Sequence, residues 1–275
     1  MNALPSELAA KRDRLLELLR SYASCAVAFS AGLDSTVLAK AAQLALGDRA
    51  VALTGTSASL AAGELEQARR LAREIGIRHE VVETGELAIP DYCKNTADRC
   101  YHCKIELYSQ IRKLADELGM AVVADGSNRD DYGEHRPGLR AAEEHRIRSP
   151  LAECKLTKAE LRDLAAYWNL TTWNKPAMPC LSSRIAYGVK ITPERLAMID
   201  RAERFLRSRG FQPLRVRCHE GDVARIEVTP EAFPQFLVPG FRRGLIGELK
   251  TAGFKYIALD LEGFRSGSLN EVLRI

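Results

Sequence analysis

The chain has 275 residues, with 40 Lys and Arg against 36 Asp and Glu for a net charge of +4, and 46% of its residues are hydrophobic. That length leaves room for one large domain or two ordinary ones. The near balance of charge offers no basic face or tail from which to argue for nucleic acid, whereas a small anionic ligand fits it. No apolar run approaches the roughly 20 residues that cross a bilayer, and the N-terminus lacks an uninterrupted apolar segment, so the expectation is a cytoplasmic protein with no membrane partner. Seven cysteines in such a chain read as reduced thiols available for metal or sulfur chemistry.

Residues 6–20 predict an amphipathic helix with Ser6 as its N-cap. Strands near 25–29, 50–54, 78–83 and 121–125 then alternate with helices near 35–46, 61–75 and 101–118. Near-continuous apolar strands separated by helices imply an α/β fold, a parallel sheet with helices on both faces. Ligands of such sheets sit beyond the carboxyl ends of the strands, where Ser30 to Ser35, Thr54 to Ser57, and Asp125-Gly126-Ser127-Asn128 converge. A helix near 158–168, opened by the capping box Thr157…Glu160, closes that region. Residues 174–190 have no period and carry two prolines and a glycine, as a linker or an active-site loop would. Beyond them Thr192-Pro193 starts a helix that Gly210 ends, and strands near 213–218, 223–228 and 255–260 alternate with short helices. The expected division is a nucleotide-binding domain over 1–176 and a smaller α+β domain over 177–275.

The run Phe29-Ser30-Ala31-Gly32-Leu33-Asp34-Ser35-Thr36 carries an apolar strand into a small hydroxyl-bearing turn and then into a helix. Small residues let the backbone approach an anion, backbone N–H groups face it, and the helix N-terminus favours negative charge. Ser30 and Ser35 add hydroxyl donors, and Asp34 suits orienting the turn or helping to hold Mg²⁺. The run has neither the Gly-Lys-Ser/Thr ending of a Walker loop nor the spacing of a dinucleotide fold. It resembles the Ser-Gly-Gly-x-Asp-Ser loop of enzymes that cleave ATP to AMP and pyrophosphate, with Ala31 in place of one glycine.

Cys100-Tyr101-His102-Cys103 is a CxxC at the start of a helix, where the positive helix end favours thiolate. No second CxxC completes a Cys₄ zinc site, but Cys180 stands in the irregular loop, before Ser182-Ser183-Arg184. Three cysteines with one open position suit a catalytic iron–sulfur cluster; a zinc site completed by His102, His135 or Cys93 is the alternative. Cys25 and Cys218 read as core residues. On the strand near 213–218, period two puts Arg215 and Arg217 on one side, about 7 Å apart, which suits a phosphate or carboxylate clamp. Glu203 on the preceding helix could orient an arginine. The run 128–138 offers carboxylates for Mg²⁺, and Arg136 for an anion.

Together these pieces resemble the LarE family, ATP-dependent sulfurtransferases that act on pyridinium-3,5-biscarboxylic acid mononucleotide in nickel-pincer nucleotide cofactor synthesis. The resemblance covers nearly the whole chain. It rests on Ala28 to Thr36, Arg136-Pro137-Gly138-Leu139, Thr172-Trp173-Asn174-Lys175, Ser182 to Gly188, Arg215-Val216-Arg217, Ala224-Arg225-Ile226-Glu227 and Leu259 to Gly267. It implies a PP-loop fold that binds ATP through Ser30, Gly32, Asp34, Ser35, Thr54, Asp125 and Gly126, with Mg²⁺. It also implies substrate contacts from Ser183, Arg184, Glu203, Arg215, Arg217 and Arg136, and adenylation of a carboxylate followed by thiocarboxylate formation. The partners it implies are a small nucleotide substrate and sulfide or a sulfur donor, in a homo-oligomer. The family provides sulfur either from one sacrificial loop cysteine or through a 4Fe-4S cluster on three cysteines. Here Pro179 occupies the sacrificial position, counted back from Ser182-Ser183-Arg184, and the CxxC accompanies the cluster form, so the expectation is a cluster on Cys100, Cys103 and Cys180. The rival expectations are Cys180 as sacrificial donor, a tRNA thiolase with the same loop, and a nucleotide sensor with structural zinc.

Overall fold

The computed structural model describes residues 4–132, 137–175 and 178–273. In chain order the elements are α1 (Ser6–Arg20), β1 (Cys25–Ala28), α2 (Leu33–Leu46), β2 (Ala50–Thr56), α3 (Glu64–Ile75), β3 (Arg78–Glu83), α4 (Pro90–Cys93) and α5 (Arg99–Glu117). There follow β4 (Val122–Ala124), α6 (Pro137–Glu144), α7 (Pro150–Glu153), α8 (Lys158–Tyr167), α9 (Pro193–Arg207), β5 (Leu214–His219), β6 (Val223–Val228), α10 (Phe233–Leu237), α11 (Pro239–Ala252) and β7 (Tyr256–Leu259). The chain divides into two compact units. The first comprises Met1–Ser57, Gly63–Glu86 and Cys100–Met178, and the second Ala58–Ala62, Leu87–Arg99 and Pro179–Ile275. Two segments from the N-terminal half, 58–62 and 87–99, therefore belong with the C-terminal unit.

The first unit holds a parallel four-stranded sheet in the order β3-β2-β1-β4, with helices on both faces. Alternation along β1 and β2 explains both layers. Cys25, Val27, Ala50 and Ala52 enter a core shared with α1, α2 and α8, while Ala26, Val51 and Leu53 enter the one built on Tyr108, Ile111 and Ala115 of α5. The chain winds from β1 outward to β3 and returns to place β4 on the other side of β1. That reversal makes the carboxyl ends of β1 and β4 the topological switch point, beside which α/β sheets bind ligands. The helix starts follow local chemistry. Thr157 caps α8 in a capping box with Glu160, and Thr192 caps α9 with Pro193 behind it. Ser6 does not cap α1: Pro5 holds that position and Ser6 is already helical. An extended Pro5 with a fixed φ enters the helix without a side-chain cap.

The second unit is built on a mixed sheet in the order β5-β6-β7, antiparallel between β5 and β6 and parallel between β6 and β7. Leu214, Val216 and Cys218 alternate inward with Ala224, Ile226 and Val228, and α9 packs on β5 and against α11. No helix among the described residues is long and apolar enough to cross a membrane.

Candidate functional site

In the first unit the loop after β1 closes on itself. The Ser30 N–H donates to Ser35 Oγ at 3.2 Å, the two serine hydroxyls lie 3.1 Å apart, and Ser35 Oγ donates to the Gly32 carbonyl at 3.2 Å. Thr36 grips the same carbonyl through Oγ1 at 2.7 Å. Ala31 turns the chain with φ +55°, a conformation that costs an L-residue about 1 kcal/mol and glycine little; this is the position at which Ala31 replaces a loop glycine. Gly32 is the N-cap of α2 and supplies no side-chain cap, so the orphan N–H groups of the first turn face outward as an anion cradle.

Asp34 lies in that first turn. One of its oxygens accepts from Lys158 Nζ, and the other, Oδ1, is buried with no hydrogen-bond partner. Burial raises the Asp34 pKa above the ordinary carboxylate range, and the bond to Lys158 opposes that rise. An orphaned carboxylate oxygen beside a phosphate cradle fits a hard cation such as Mg²⁺. Gly126, after β4, comes so close that a Cβ there would stand 2.8 Å from the Ser35 backbone nitrogen.

Other residues expected to contact nucleotide are committed inside the protein. Asp125 accepts from Tyr108 Oη at 2.7 Å, Ser149 Oγ at 2.8 Å, Ser127 Oγ at 3.0 Å and the Ser127 N–H at 3.1 Å. It braces the loop after β4. Thr54 donates to the Phe29 carbonyl at 2.7 Å and bonds His79 Nε2 at 2.8 Å, so it braces the end of β1. Two lysines also reach the loop, neither marked as a site residue by its local sequence. Lys158 reaches Asp34, and Lys175 Nζ bonds the Ala31 carbonyl at 3.2 Å and Gln67 at 2.8 Å. Their signal was positional: Lys158 directly follows the Thr157 cap, and Lys175 ends the motif Thr172-Trp173-Asn174-Lys175.

Cys100 and Cys103 stand three residues apart near the start of α5, Cys100 exposed and Cys103 half-buried. That spacing shares one helix side and fits two ligands of a cluster or metal. Cys180 is exposed in the second unit. Among the described residues no three His, Cys, Asp or Glu side chains gather as a metal-binding group. Cys25, Cys154 and Cys218 are buried, and burial pushes the thiols of Cys25 up to about 12 and Cys218 up to about 11.

In the second unit, Arg184 and Glu203 form a fully buried ion pair at 3.1 Å. Arg217 is tied to Glu227 at 2.8 Å, to Ser268 Oγ at 3.1 Å and to the Ser183 carbonyl at 3.1 Å. Arg215, one same-face step away on β5, is half-buried and lies 5.2 Å from the centre of the Phe264 ring. Burial and the neighbouring cations Arg184, Arg217 and Arg207 pull its pKa down to about 10, opposed by Glu203. The positive charge gathered around this guanidinium is an electrostatic setting that suits an anion. Arg136 and His135 lie outside the described residues.

No family model matches the chain. It is 45% identical over 266 residues, 97% of this chain and 99% of the relative, to an uncharacterized protein of Synechocystis sp.. It is 38% identical over 267 residues, 97% of this chain and 96% of the relative, to the pyridinium-3,5-bisthiocarboxylic acid mononucleotide synthase of Lactiplantibacillus plantarum. An uncharacterized protein of Methanocaldococcus jannaschii is 33% identical over 180 residues, 66% of this chain and 69% of that one.

Proposed function

Because the chain belongs to the LarE family, that of the pyridinium-3,5-bisthiocarboxylic acid mononucleotide synthase, we propose that it transfers sulfur to a pyridinium biscarboxylic acid mononucleotide in nickel-pincer cofactor synthesis, using ATP. The observation that carries the ATP-dependent reading is the cradle itself: an uncapped α2 N-terminus behind a closed serine loop, with the orphaned Asp34 Oδ1 beside it.

A carboxylate is a poor acyl donor because oxide is a poor leaving group. In the first step a substrate carboxylate oxygen attacks the α-phosphorus of ATP; the bond to the bridging oxygen breaks and pyrophosphate departs, leaving an acyl-adenylate. The first-turn N–H groups of α2 and the loop hydroxyls hold the departing pyrophosphate, Lys158 lies at the loop against Asp34, Lys175 is paired with Glu64 beside it, and Asp34 Oδ1 would hold Mg²⁺. In the second step hydrosulfide attacks the acyl carbon and AMP leaves, giving the thiocarboxylate. Arg215 and Arg217 hold the substrate's phosphate, Arg217 fixed by Glu227 and Ser268 and Arg215 set beside the Phe264 ring.

A 4Fe-4S cluster on Cys100, Cys103 and Cys180 would supply, when bound, an open iron for sulfide. The exposed CxxC at the start of α5 favours this over Cys180 acting as a sacrificial donor. The test is anaerobic protein given ATP, the mononucleotide and sulfide, followed by pyrophosphate assay and mass spectrometry of product and protein. Substrate-dependent pyrophosphate and repeated thiocarboxylate formation with intact Cys180 support the reading. Absence of pyrophosphate sinks the ATP step, and dehydroalanine at position 180 sinks the cluster.

A further inference from the structure

The segment that carries Cys180 is gripped along its backbone by side chains of its own unit. Arg184 Nη1 donates to the Pro179 and Cys180 carbonyls, the latter at 3.0 Å, and to Ser183 Oγ at 3.0 Å. The Cys180 carbonyl also accepts from Ser183 Oγ at 2.7 Å and from the Ser183 N–H at 3.0 Å. Further along, Arg99 donates to the Ser182 carbonyl at 3.1 Å and Arg217 to that of Ser183 at 3.1 Å. Asn95 Nδ2 reaches the carbonyls of Ile185, Ala186 and Val189.

The far side of the Arg184 guanidinium is equally committed. Nε and Nη2 bond Glu203 at 3.1 and 3.4 Å, and Glu203 is itself fixed by the Val216 N–H at 3.1 Å and by Arg207. Arg184 is fully buried, and with every side of its planar fork engaged it has no face to offer a substrate. Its grip on the peptides before and after Cys180 leaves the thiol little freedom beyond rotation about its own Cα–Cβ bond.

We infer that Arg184 is a positioning residue that fixes the Cys180 thiol in place through the carbonyls of Pro179 and Cys180, and is not a ligand of the substrate's phosphate. This rests on the reading above that Cys180 handles sulfur. Glu203 orients Arg184, and Arg99 and Asn95 hold the downstream part of the same segment. Lysine cannot replace arginine here, since a point charge beside Glu203 cannot also span two carbonyls.

The experiment is Arg184→Lys in the full chain. Amide hydrogen exchange at Ser183 and Ile185, whose N–H groups bond the Cys180 and Ser182 carbonyls, should quicken at least tenfold, with the amides of α9 and β5 unchanged. With ATP, mononucleotide and sulfide, kcat for thiocarboxylate formation should fall at least tenfold while KM for both substrates stays within twofold and pyrophosphate release persists. A raised mononucleotide KM with kcat retained, or unchanged exchange, overturns the inference. If the variant does not fold, Ser183→Ala serves, since it deletes a hydroxyl bonded to both the Cys180 carbonyl and Arg184. Exchange at Ile185 should quicken at least threefold, and unchanged exchange again overturns the inference. A Cys180→Ala protein with full sulfur transfer would defeat the role given to Cys180, while the exchange arm would still decide what Arg184 does.

Discussion

Gly126→Ala tests the nucleotide cradle without touching a polar group. A Cβ at this position meets the Ser35 nitrogen at 2.8 Å, the Asp34 carbonyl carbon at 3.1 Å and the Ser35 Cα at 3.2 Å, whereas ordinary contacts begin at 3.4 Å. All three atoms are backbone of the first turn of α2, so no rotamer change relieves them; the loop or the helix start must move by about half an ångström or more. Overpacking of this kind costs about 1–3 kcal/mol, which lowers Tm by roughly 2–5 °C in a protein of this size. The same displacement misaligns first-turn N–H donors whose bonds to a charged ligand contribute about 1.5–3 kcal/mol each, so ATP affinity should fall about tenfold or more. Calorimetric ATP titration, beside a thermal melt of each variant, measures both. Gly247→Ala on α11 is the control, because nothing lies within 4 Å of its added Cβ; it should bind ATP normally and melt no lower. Wild-type ATP affinity in Gly126→Ala would refute the placement of the cradle.

Native alkylation at pH 8 should label Cys100 and Cys180 rapidly and leave Cys25, Cys154 and Cys218 unmodified, since burial raises those three thiols; labelling of Cys25 before unfolding would contradict the packing of β1. Asp34, raised by burial against the pull of Lys158, contributes stability in its protonated form below the ordinary carboxylate pKa of about 4, and that contribution is lost as pH rises through the folded value. With Asp34 as the proposed Mg²⁺ ligand, Mg²⁺–ATP takes the ionised form, so binding should strengthen with pH through a window above about 4 and release protons there; titrations in two buffers of different ionisation heat detect the release, which Asp34→Asn should abolish. His79 and His219 are lowered by burial and by nearby arginines, so their neutral forms stabilise the fold above the ordinary value of about 6.5, and this is lost as pH falls toward the folded values. Urea midpoints should drop between pH 7.5 and 5, and an undiminished drop in the His79→Gln, His219→Gln double variant would exclude these residues as the cause.

Much of the fold was legible because periodicity reports burial. Strands β1, β2 and β4 read as short apolar runs because they are buried, whereas the edge strand β3, Arg78–Glu83, is half-buried at best and shows only Val81-Val82 as apolar signal; the capping box at Thr157 marked the start of α8. The loop from Ser30 to Ser35 stood out for its small residues at a strand–helix turn. What stayed hidden depends on pairs far apart in sequence. Period two placed Arg215 and Arg217 on one face, but could not reveal that Arg217 is occupied by Glu227 and Ser268. No local pattern told that Arg184 turns inward to peptide carbonyls, or that Asp125 and Thr54 spend their oxygens on bracing. Lys158 and Asp34 meet across 124 positions, beyond the reach of any periodicity.

Asn95 sits fully buried with φ +56° and gives its amide to three carbonyls some 90 positions later in the chain. Such a residue sets a timetable for biosynthesis. Its stretch, 87–99, leaves the ribosome long before the segment it must clasp, and the Asn95 amide with the Cys93 and Asn95 carbonyls stays open to water until 185–191 arrives. A chain cut near residue 176 would keep that stretch and never deliver its partner, so expressing the part before the cut alone should give an aggregation-prone fragment. Removing 58–62 and 87–99 along with the C-terminal unit, and bridging the gaps with short glycine-serine links, is the cut the chain's own connectivity recommends.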